Sequence, residues 1–303
     1  MRVMAKRLGS GRFWSITLPT LAAAVGGVRA LGIFRDRFQR SKIFLPERYP
    51  DGVWDPTSFG LPAEDVWLHA ADGVELHGWW IPHPKARGVI LYCHGNTGSI
   101  AQRIGVLSHL RRLKVHVFAF DYRGYGRSAG EPSEEGLYLD VRAAYDHLVG
   151  PLAQPATTVI LFGHSLGGAV AVDCALDRQL AGLVVQASFT HIRDAAKAFY
   201  PHFPIHLAAR HQFVSVEKVP KLTVPKLFIH GRSDETVPFE LGQRLFEAAA
   251  EPKEFLPIPR AGHNDLHRHG GRAYLRRLSR FRNRCLKLAR AHPAPEPVVT
   301  KTA

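Results

Sequence analysis

Cysteine is scarce in this sequence, with three residues in 303, and this scarcity restricts the possible class of protein. Cys93, Cys174 and Cys285 cannot form a disulfide framework, and the first two fall in apolar segments, so we expect reduced packing residues. Internal repeats, low-complexity blocks and a His-Glu-x-x-His metal motif are also absent from the sequence. We therefore expect one large α/β domain, with no cofactor and no metal.

Acidic residues are almost missing from two segments near the ends of the chain. Residues 1–42 contain nine Lys or Arg and one acid, and residues 266–290 contain nine and none, so that the rest of the +14 chain carries −3. This distribution does not interleave basic and aromatic residues along one groove, so no nucleic-acid partner is expected. Anionic lipid headgroups would attract both clusters, but a solvated helix face explains the second equally well. One face of that second helix is predicted to pack through residues at helical spacing: Leu275, Leu278, Phe281, Cys285 and Leu288.

A charge-free, mostly apolar run occupies residues 13–28, inside the basic N-terminal segment 1–42. We interpret it as an uncleaved membrane anchor, although it is shorter than the roughly 20 residues of a spanning helix. A cleaved signal peptide and an amphipathic helix covering the domain are the alternatives. Basic residues flank the run on both sides, so the side of the membrane is left open.

Short apolar segments alternate with helical ones from about residue 89 onward, and this pattern indicates a parallel sheet covered on both faces. Strands are predicted near 89–93, 115–120, 158–162, 182–186, 226–230 and 254–258. Helices are predicted near 99–113, 134–149, 166–178 and 239–250. The segments 65–69 and 74–80 predict an antiparallel hairpin at one edge, joined by Ala71-Asp72-Gly73.

The most informative stretch is Gly163-His164-Ser165-Leu166-Gly167, placed between a predicted strand and a predicted helix. This pattern is typical of a nucleophile elbow, where a sharp turn exposes a serine hydroxyl and glycines leave room for the neighbouring backbone. A serine needs a base before it can attack an acyl carbon. Ser165 is therefore the candidate nucleophile.

An acid and a histidine follow in the order expected after such a serine. Asp234 lies just beyond the strand predicted at 226–230, and His263 lies in the loop after the next strand. His263 would take and return the Ser165 proton, and Asp234 would fix its tautomer. Glu235 is the neighbouring alternative for the acid.

Two backbone N–H groups are needed to stabilise the oxyanion of the tetrahedral intermediate. Leu166 follows the nucleophile and supplies the first, and Asn96, in the small-residue loop after the strand at 89–93, is the candidate for the second. We interpret His94 as a buried residue that bonds the loop backbone. Tyr122 and Tyr125 are candidates for lining the entrance of the site.

These motifs together resemble the serine α/β-hydrolases of the Bem46 type, relatives of the α/β-hydrolase-domain proteins 13 and 17. The likeness extends from about Ile43 to about Leu288 and rests on five blocks: His94-Gly95-Asn96, Asp121-Tyr122-Arg123-Gly124-Tyr125-Gly126-Arg127-Ser128, Gly163-His164-Ser165-Leu166-Gly167-Gly168, His230-Gly231-Arg232-Ser233-Asp234 and Ala261-Gly262-His263-Asn264-Asp265. It implies an α/β-hydrolase domain over residues 43–290, with a mostly parallel eight-stranded sheet and a short cap at about 188–225, followed by a flexible tail at 291–303. It also implies a triad of Ser165, Asp234 and His263, with Asn96 and Leu166 as oxyanion donors. The depalmitoylating members carry an N-terminal cysteine cluster that this sequence lacks.

The expected function is hydrolysis of carboxylic esters or thioesters by a membrane-associated enzyme through an acyl-serine intermediate, with a small-molecule or lipid-like acyl ester as substrate. A serine peptidase or amidase on the same fold is the first alternative, because an amide needs the same three side chains. A membrane-tethered binding protein without catalysis is the second.

Overall fold

The computed structural model describes residues 41–199 and 211–291. Its helices are α1 Ile104–Arg111, α2 Glu134–Val149, α3 Leu166–Cys174, α4 Ile192–Phe199, α5 Ser215–Lys218, α6 Phe239–Ala248 and α7 Leu266–Ala291, and its 3-10 turns are Pro56–Phe59, Ile100–Gln102, Ala156–Thr158 and Val219–Lys221. Its strands are β1 Leu45–Pro46, β2 Glu64–His69, β3 Glu75–Ile81, β4 Val89–Cys93, β5 Thr97–Gly98, β6 His116–Phe120, β7 Val159–His164, β8 Gly182–Gln186, β9 Lys226–Gly231 and β10 Lys253–Ile258.

Eight of these strands form one sheet in the order β10-β9-β8-β7-β4-β6-β3-β2. The pairs from β10 to β6 are parallel, whereas β3 pairs antiparallel with both β6 and β2. The predicted α/β-hydrolase architecture, with its antiparallel edge, is confirmed. Strands β4, β7 and β8 are buried along their whole length, because helices cover both faces and leave no face for polar residues.

Two apolar layers lie on the two faces of the sheet. The first packs α2, α3 and α6 against the strands, and the second packs α1 and α7. The predicted helix near 99–113 is divided at Arg103 into a 3-10 turn and α1. The helix predicted over 166–178 ends earlier, at Cys174.

Helix α7 carries the second basic cluster and confirms only part of the predicted apolar stripe. Leu278, Phe281 and Cys285 are buried against the sheet, but Leu288 is 40% exposed, so the prediction was wrong at that position. The buried stripe instead includes Tyr274 and Leu286. Contact with the sheet, rather than helical spacing, decides where such a stripe ends.

Three predicted segments lie wholly or partly outside the part of the chain that the structure describes. The anchor predicted at residues 13–28, residues 200–210 of the cap and residues 292–303 of the predicted tail lie outside the described residues. Within residues 41–199 and 211–291, the helices are all too short or too polar to span a bilayer.

Candidate active site

The parallel strands end at one edge of the sheet, and the candidate site lies there. Cys93 at the end of β4 pairs with Gly163 near the end of β7, and His164 pairs with Gln186 at the end of β8. The loops that follow these strands, together with those after β9 and β10, are therefore brought together.

Ser165 occupies the strained turn between β7 and α3. Its backbone has φ of 55° and ψ of −119°, a conformation that costs energy for a residue with a side chain and is typical of functional turns. A Cβ on Gly163 would clash with the Gly167 carbonyl, and one on Gly167 would clash with the Cys93 carbonyl. Both glycines are therefore required by the tight packing of the turn.

Hydrogen bonds with neighbouring residues fix the backbone of this turn. The Ser165 N–H donates to the Gln186 carbonyl at 2.8 Å, and the Ser188 hydroxyl donates to the Ser165 carbonyl at 2.9 Å. Leu166 is the first residue of α3, where a backbone N–H has no carbonyl partner in the preceding turn of the helix. Its N–H is therefore able to bind an oxyanion.

Asp234 and His263 are brought together by the loops after β9 and β10. The distance between His263 Nδ1 and Asp234 Oδ2 is 2.8 Å, and Asp234 is buried, whereas the neighbouring Glu235 is exposed. Because Nδ1 donates to the carboxylate, Nε2 of the neutral ring is the atom that can accept a proton. The geometry therefore favours Asp234 over Glu235 as the partner of His263.

Four donors converge on the Asp234 carboxylate. Its Oδ1 accepts the backbone N–H groups of Thr236 at 2.9 Å and Val237 at 2.8 Å, and His230 Nε2 lies 3.3 Å from Oδ2. Burial alone would raise the pKa of Asp234, but the hydrogen bonds from His230, His263 and Val237 outweigh it and hold this pKa well below its usual range. Asp234 therefore remains an anion facing His263.

His164 packs directly on His263, a contact that the sequence reasoning missed. The two ring centroids are 4.9 Å apart, and His164 Nε2 donates to the His263 carbonyl at 3.1 Å. Burial, followed by the charge that His263 carries when it is protonated, lowers the pKa of His164 to about 3. His164 is therefore a neutral support for the ring and backbone of His263.

The loop after β4 carries Asn96 and is fixed from several sides. The Tyr125 hydroxyl donates to the Asn96 carbonyl at 2.8 Å, and the Tyr122 hydroxyl donates to the His94 carbonyl at 3.1 Å. Both tyrosines are buried, so the expectation that they line an entrance was wrong. His94 is also buried, with Nδ1 2.7 Å from the Gly95 carbonyl, in agreement with its predicted structural role.

The Asn96 side chain and carbonyl are both occupied within the protein. The side-chain amide donates to the Ile43 carbonyl at 3.0 Å, and the Asn96 carbonyl also accepts the Leu45 N–H at 2.9 Å. Among the described residues, the Asn96 backbone N–H has no hydrogen-bond partner, so this group is available to a bound molecule.

A cavity of about 430 Å³ lies in front of these groups. Ser165, His263, Asn96 and Leu166 all lie in its wall. The remainder of the wall is largely apolar and comes from three separate parts of the chain, including Ile43, Leu45, Phe189, Ile192, Ala195, Ala196 and Val237. Such a cavity suits a small molecule with an aliphatic or aromatic part.

Two relatives of known family are similar in sequence to this chain over most of its length. The α/β-hydrolase-domain protein WAV2 of Arabidopsis thaliana is 32% identical over 273 residues, which is 82% of this chain and 88% of that protein. Bem46 of Schizosaccharomyces pombe is 30% identical over 86% of this chain and 92% of its own length. The chain belongs to the Bem46-type α/β-hydrolases.

Further comparisons agree with membership of this α/β-hydrolase family. An uncharacterized protein of Mycobacterium tuberculosis is 38% identical over 246 residues, 80% of this chain and 86% of that protein. The family described as serine aminopeptidase, S33, matches residues 84–217. Among solved structures, the Pyrococcus furiosus esterase Pf2001 has a TM-score of 0.68 at 22% identity, covering 80% of this chain and 99% of the esterase, which demonstrates the fold.

Proposed function

We propose that this α/β-hydrolase cleaves carboxylic esters or thioesters through an acyl intermediate on Ser165. The observation that carries the proposal is the 2.8 Å contact of His263 with Asp234, together with the position of His263 and Ser165 in the wall of one cavity. The family membership and the esterase fold agree with this reaction.

In the proposed mechanism, the Ser165 hydroxyl gives its proton to His263 Nε2 while its oxygen attacks the acyl carbon. The carbonyl oxygen becomes an oxyanion facing the N–H groups of Leu166 and Asn96. The bond to the leaving alcohol or thiol then breaks, and His263 returns the proton to that group. Water repeats the sequence with His263 as base, and the acid and free Ser165 are released.

The decisive experiment is active-site labelling with a fluorophosphonate probe, combined with steady-state hydrolysis of nitrophenyl butyrate. We expect both the label and the hydrolysis in the wild-type protein, and the loss of both in Ser165→Ala. Ser58→Ala is a matched control that should retain both, because Ser58 is an exposed serine outside the cavity wall. A wild-type protein that neither labels nor hydrolyses the ester would favour the non-catalytic binding protein.

A serine peptidase or amidase is the second candidate, favoured by the aminopeptidase description of the matching family. The same three side chains would serve, with His263 protonating an amine as the leaving group. A side-by-side comparison of nitrophenyl esters with aminoacyl anilides separates the two. Higher kcat/KM for the anilides would overturn the esterase proposal.

We also propose that residues 13–28 hold the enzyme at a membrane. The support in the structure is the exposure of large apolar side chains in the segment that follows, where Leu45 is 45%, Tyr49 57%, Val53 38% and Phe59 61% exposed. Exposed apolar groups in one segment are typical of contact surfaces. Leu45 also lines the cavity, so a lipid-like acyl ester would reach Ser165 from this side.

A further inference from the structure

One cation in the cavity wall has no acidic partner. Arg103 lies between the 3-10 turn Ile100–Gln102 and α1, lines the cavity together with Ser165, and is partly buried. Within residues 41–199 and 211–291, its guanidinium makes one hydrogen bond, from Nη2 to the Thr97 carbonyl, and no ion pair. Its Nε is buried without a hydrogen-bond partner in the same residues.

Two other buried or partly buried arginines of this fold are paired with carboxylates, whereas the buried Arg282 bonds the Ser279 and Asn283 side chains instead. Arg123 contacts Asp72 and Asp140, and Arg142 contacts Asp173 and Asp177. Pairing is the usual arrangement, because a partly desolvated guanidinium is stabilised by a carboxylate or phosphate that matches its planar fork. The lack of a partner for Arg103 therefore requires a physical explanation.

The acidic residue of the cavity wall is bound to a different side chain. Glu47 also lines the cavity, but its carboxylate accepts a hydrogen bond from the Gln102 side chain and forms no ion pair with Arg103. Glu47 is exposed at the surface. Arg103 thus lines the cavity without a carboxylate partner among residues 41–199 and 211–291.

The charge of Arg103 also reaches His164, the residue that supports the ring of His263. Burial is the main reason for the low pKa of His164, and the charges of His263 and Arg103 lower it further. The same cavity thus combines an apolar wall, a nucleophile and a guanidinium with unused donors.

We propose that Arg103 binds an oxyanion group of the substrate, so that the preferred esters carry a carboxylate or a phosphate besides the bond that is cleaved. This rests on the proposed function at Ser165 and defines its substrate class. The apolar wall would hold the hydrocarbon part, and the guanidinium would supply charge-assisted hydrogen bonds to the anion.

The test compares charged and neutral esters that differ only in the anionic group. One pair is mono-nitrophenyl adipate with nitrophenyl hexanoate, which places the charge on the acyl side. The other is a monoacylglycerol phosphate with the same monoacylglycerol, which places it on the alcohol side. The measured quantity is the ratio of kcat/KM for the charged ester to that for the neutral one.

In Arg103→Met this ratio should fall about tenfold to a hundredfold for at least one pair, as expected for the loss of a hydrogen bond between charged groups. Arg103→Lys should restore part of the ratio, because it keeps the charge but not the fork. Arg112→Met, which removes the charge of an exposed arginine next to α1, should leave the ratio unchanged. Glu47→Gln should raise the ratio, since it removes a negative charge from the wall.

A ratio that is unchanged in Arg103→Met for both pairs overturns the proposal. An equal fall of kcat/KM for the charged and the neutral esters overturns it too, because it would indicate a structural role of Arg103 in the Thr97–Gly98 segment. These failures differ from failure of the proposed function. If hydrolysis of the charged and the neutral esters alike is absent or survives Ser165→Ala, the serine hydrolase proposal is wrong. If it depends on Ser165 and the ratio is insensitive to Arg103, only the anion proposal is wrong.

Discussion

At the residue scale, the contact between Asp234 and His263 makes the clearest prediction. Asp234→Asn should lower kcat by about a thousandfold or more, because the amide no longer holds the tautomer with Nδ1–H. Glu235→Gln, at an exposed neighbouring site, should retain activity. Nitrophenyl butyrate hydrolysis measures both, with circular dichroism to verify folding. Greater damage from Glu235→Gln would reverse the assignment of the acid.

The pKa of His164 predicts a pH dependence of stability. Its folded pKa of about 3 lies below the unfolded value of about 6.5, so the unfolded chain binds more protons between these pH values. The contribution of His164 to the free energy of unfolding is fully present above the unfolded pKa and is lost as the pH falls toward the folded pKa. Between pH 7 and 5 the unfolding free energy should drop by up to about 2 kcal/mol more in the wild type than in His164→Gln. Urea denaturation at both pH values measures this, and equal drops would contradict it.

The three residues of the candidate triad could be predicted from the sequence, but the side chains that hold the site in place could not. Ser165, Asp234 and His263 follow apolar strands, and the carboxyl ends of parallel strands meet at one edge. Tyr125 bonds Asn96 across 29 positions of the chain. A buried tyrosine reaches such a partner only because the fold brings two loops together. A local sequence pattern holds no information about that approach. Arg103 was missed for a similar reason, since the absence of a partner is a property of the fold.

At the scale of elements, the turn between β7 and α3 is the part that tolerates least change. Gly167→Ala should abolish activity and destabilise the protein by about 1–3 kcal/mol, because the new Cβ would push against the Cys93 carbonyl at the end of β4. Gly105→Ala is the matched control, since nothing surrounds its Cβ position within α1. It should preserve activity and raise stability by about 0.5–1 kcal/mol. Thermal unfolding and ester hydrolysis report on both.

The elements themselves were largely predictable because their signals are strong. Strands such as β4 and β8 are short apolar runs between turns, and α2 begins after Ser133, whose hydroxyl caps the Gly136 N–H at 3.1 Å. The ends of elements were less predictable. Leu288 continues the helical spacing of α7 but is exposed, so the apolar face is limited by what the sheet covers.

At the scale of the whole molecule, the proposed membrane attachment can be assigned to one part of the chain. Deleting residues 1–40 should release an active protein into the soluble fraction, because the hydrophobic run at 13–28 is removed and Phe44, which is 3% exposed, is retained in the core. Sedimentation with membranes and ester hydrolysis measure the two properties. Continued sedimentation of the truncated protein would shift the attachment to the arginine-rich helix α7.

The short ladder between β1 and β5 has a consequence for handling the protein. Leu45 pairs with Thr97, and its N–H donates to the Asn96 carbonyl, so this strand is attached directly to the loop that carries the candidate oxyanion donor Asn96. A purification tag joined directly to this strand, in place of the buried Phe44, should displace that loop and lower turnover. The end of α7 at Ala291 lies about 30 Å along the helix from its kink at Gly271. Kinetic comparisons of variants should therefore use tags placed behind Ala291.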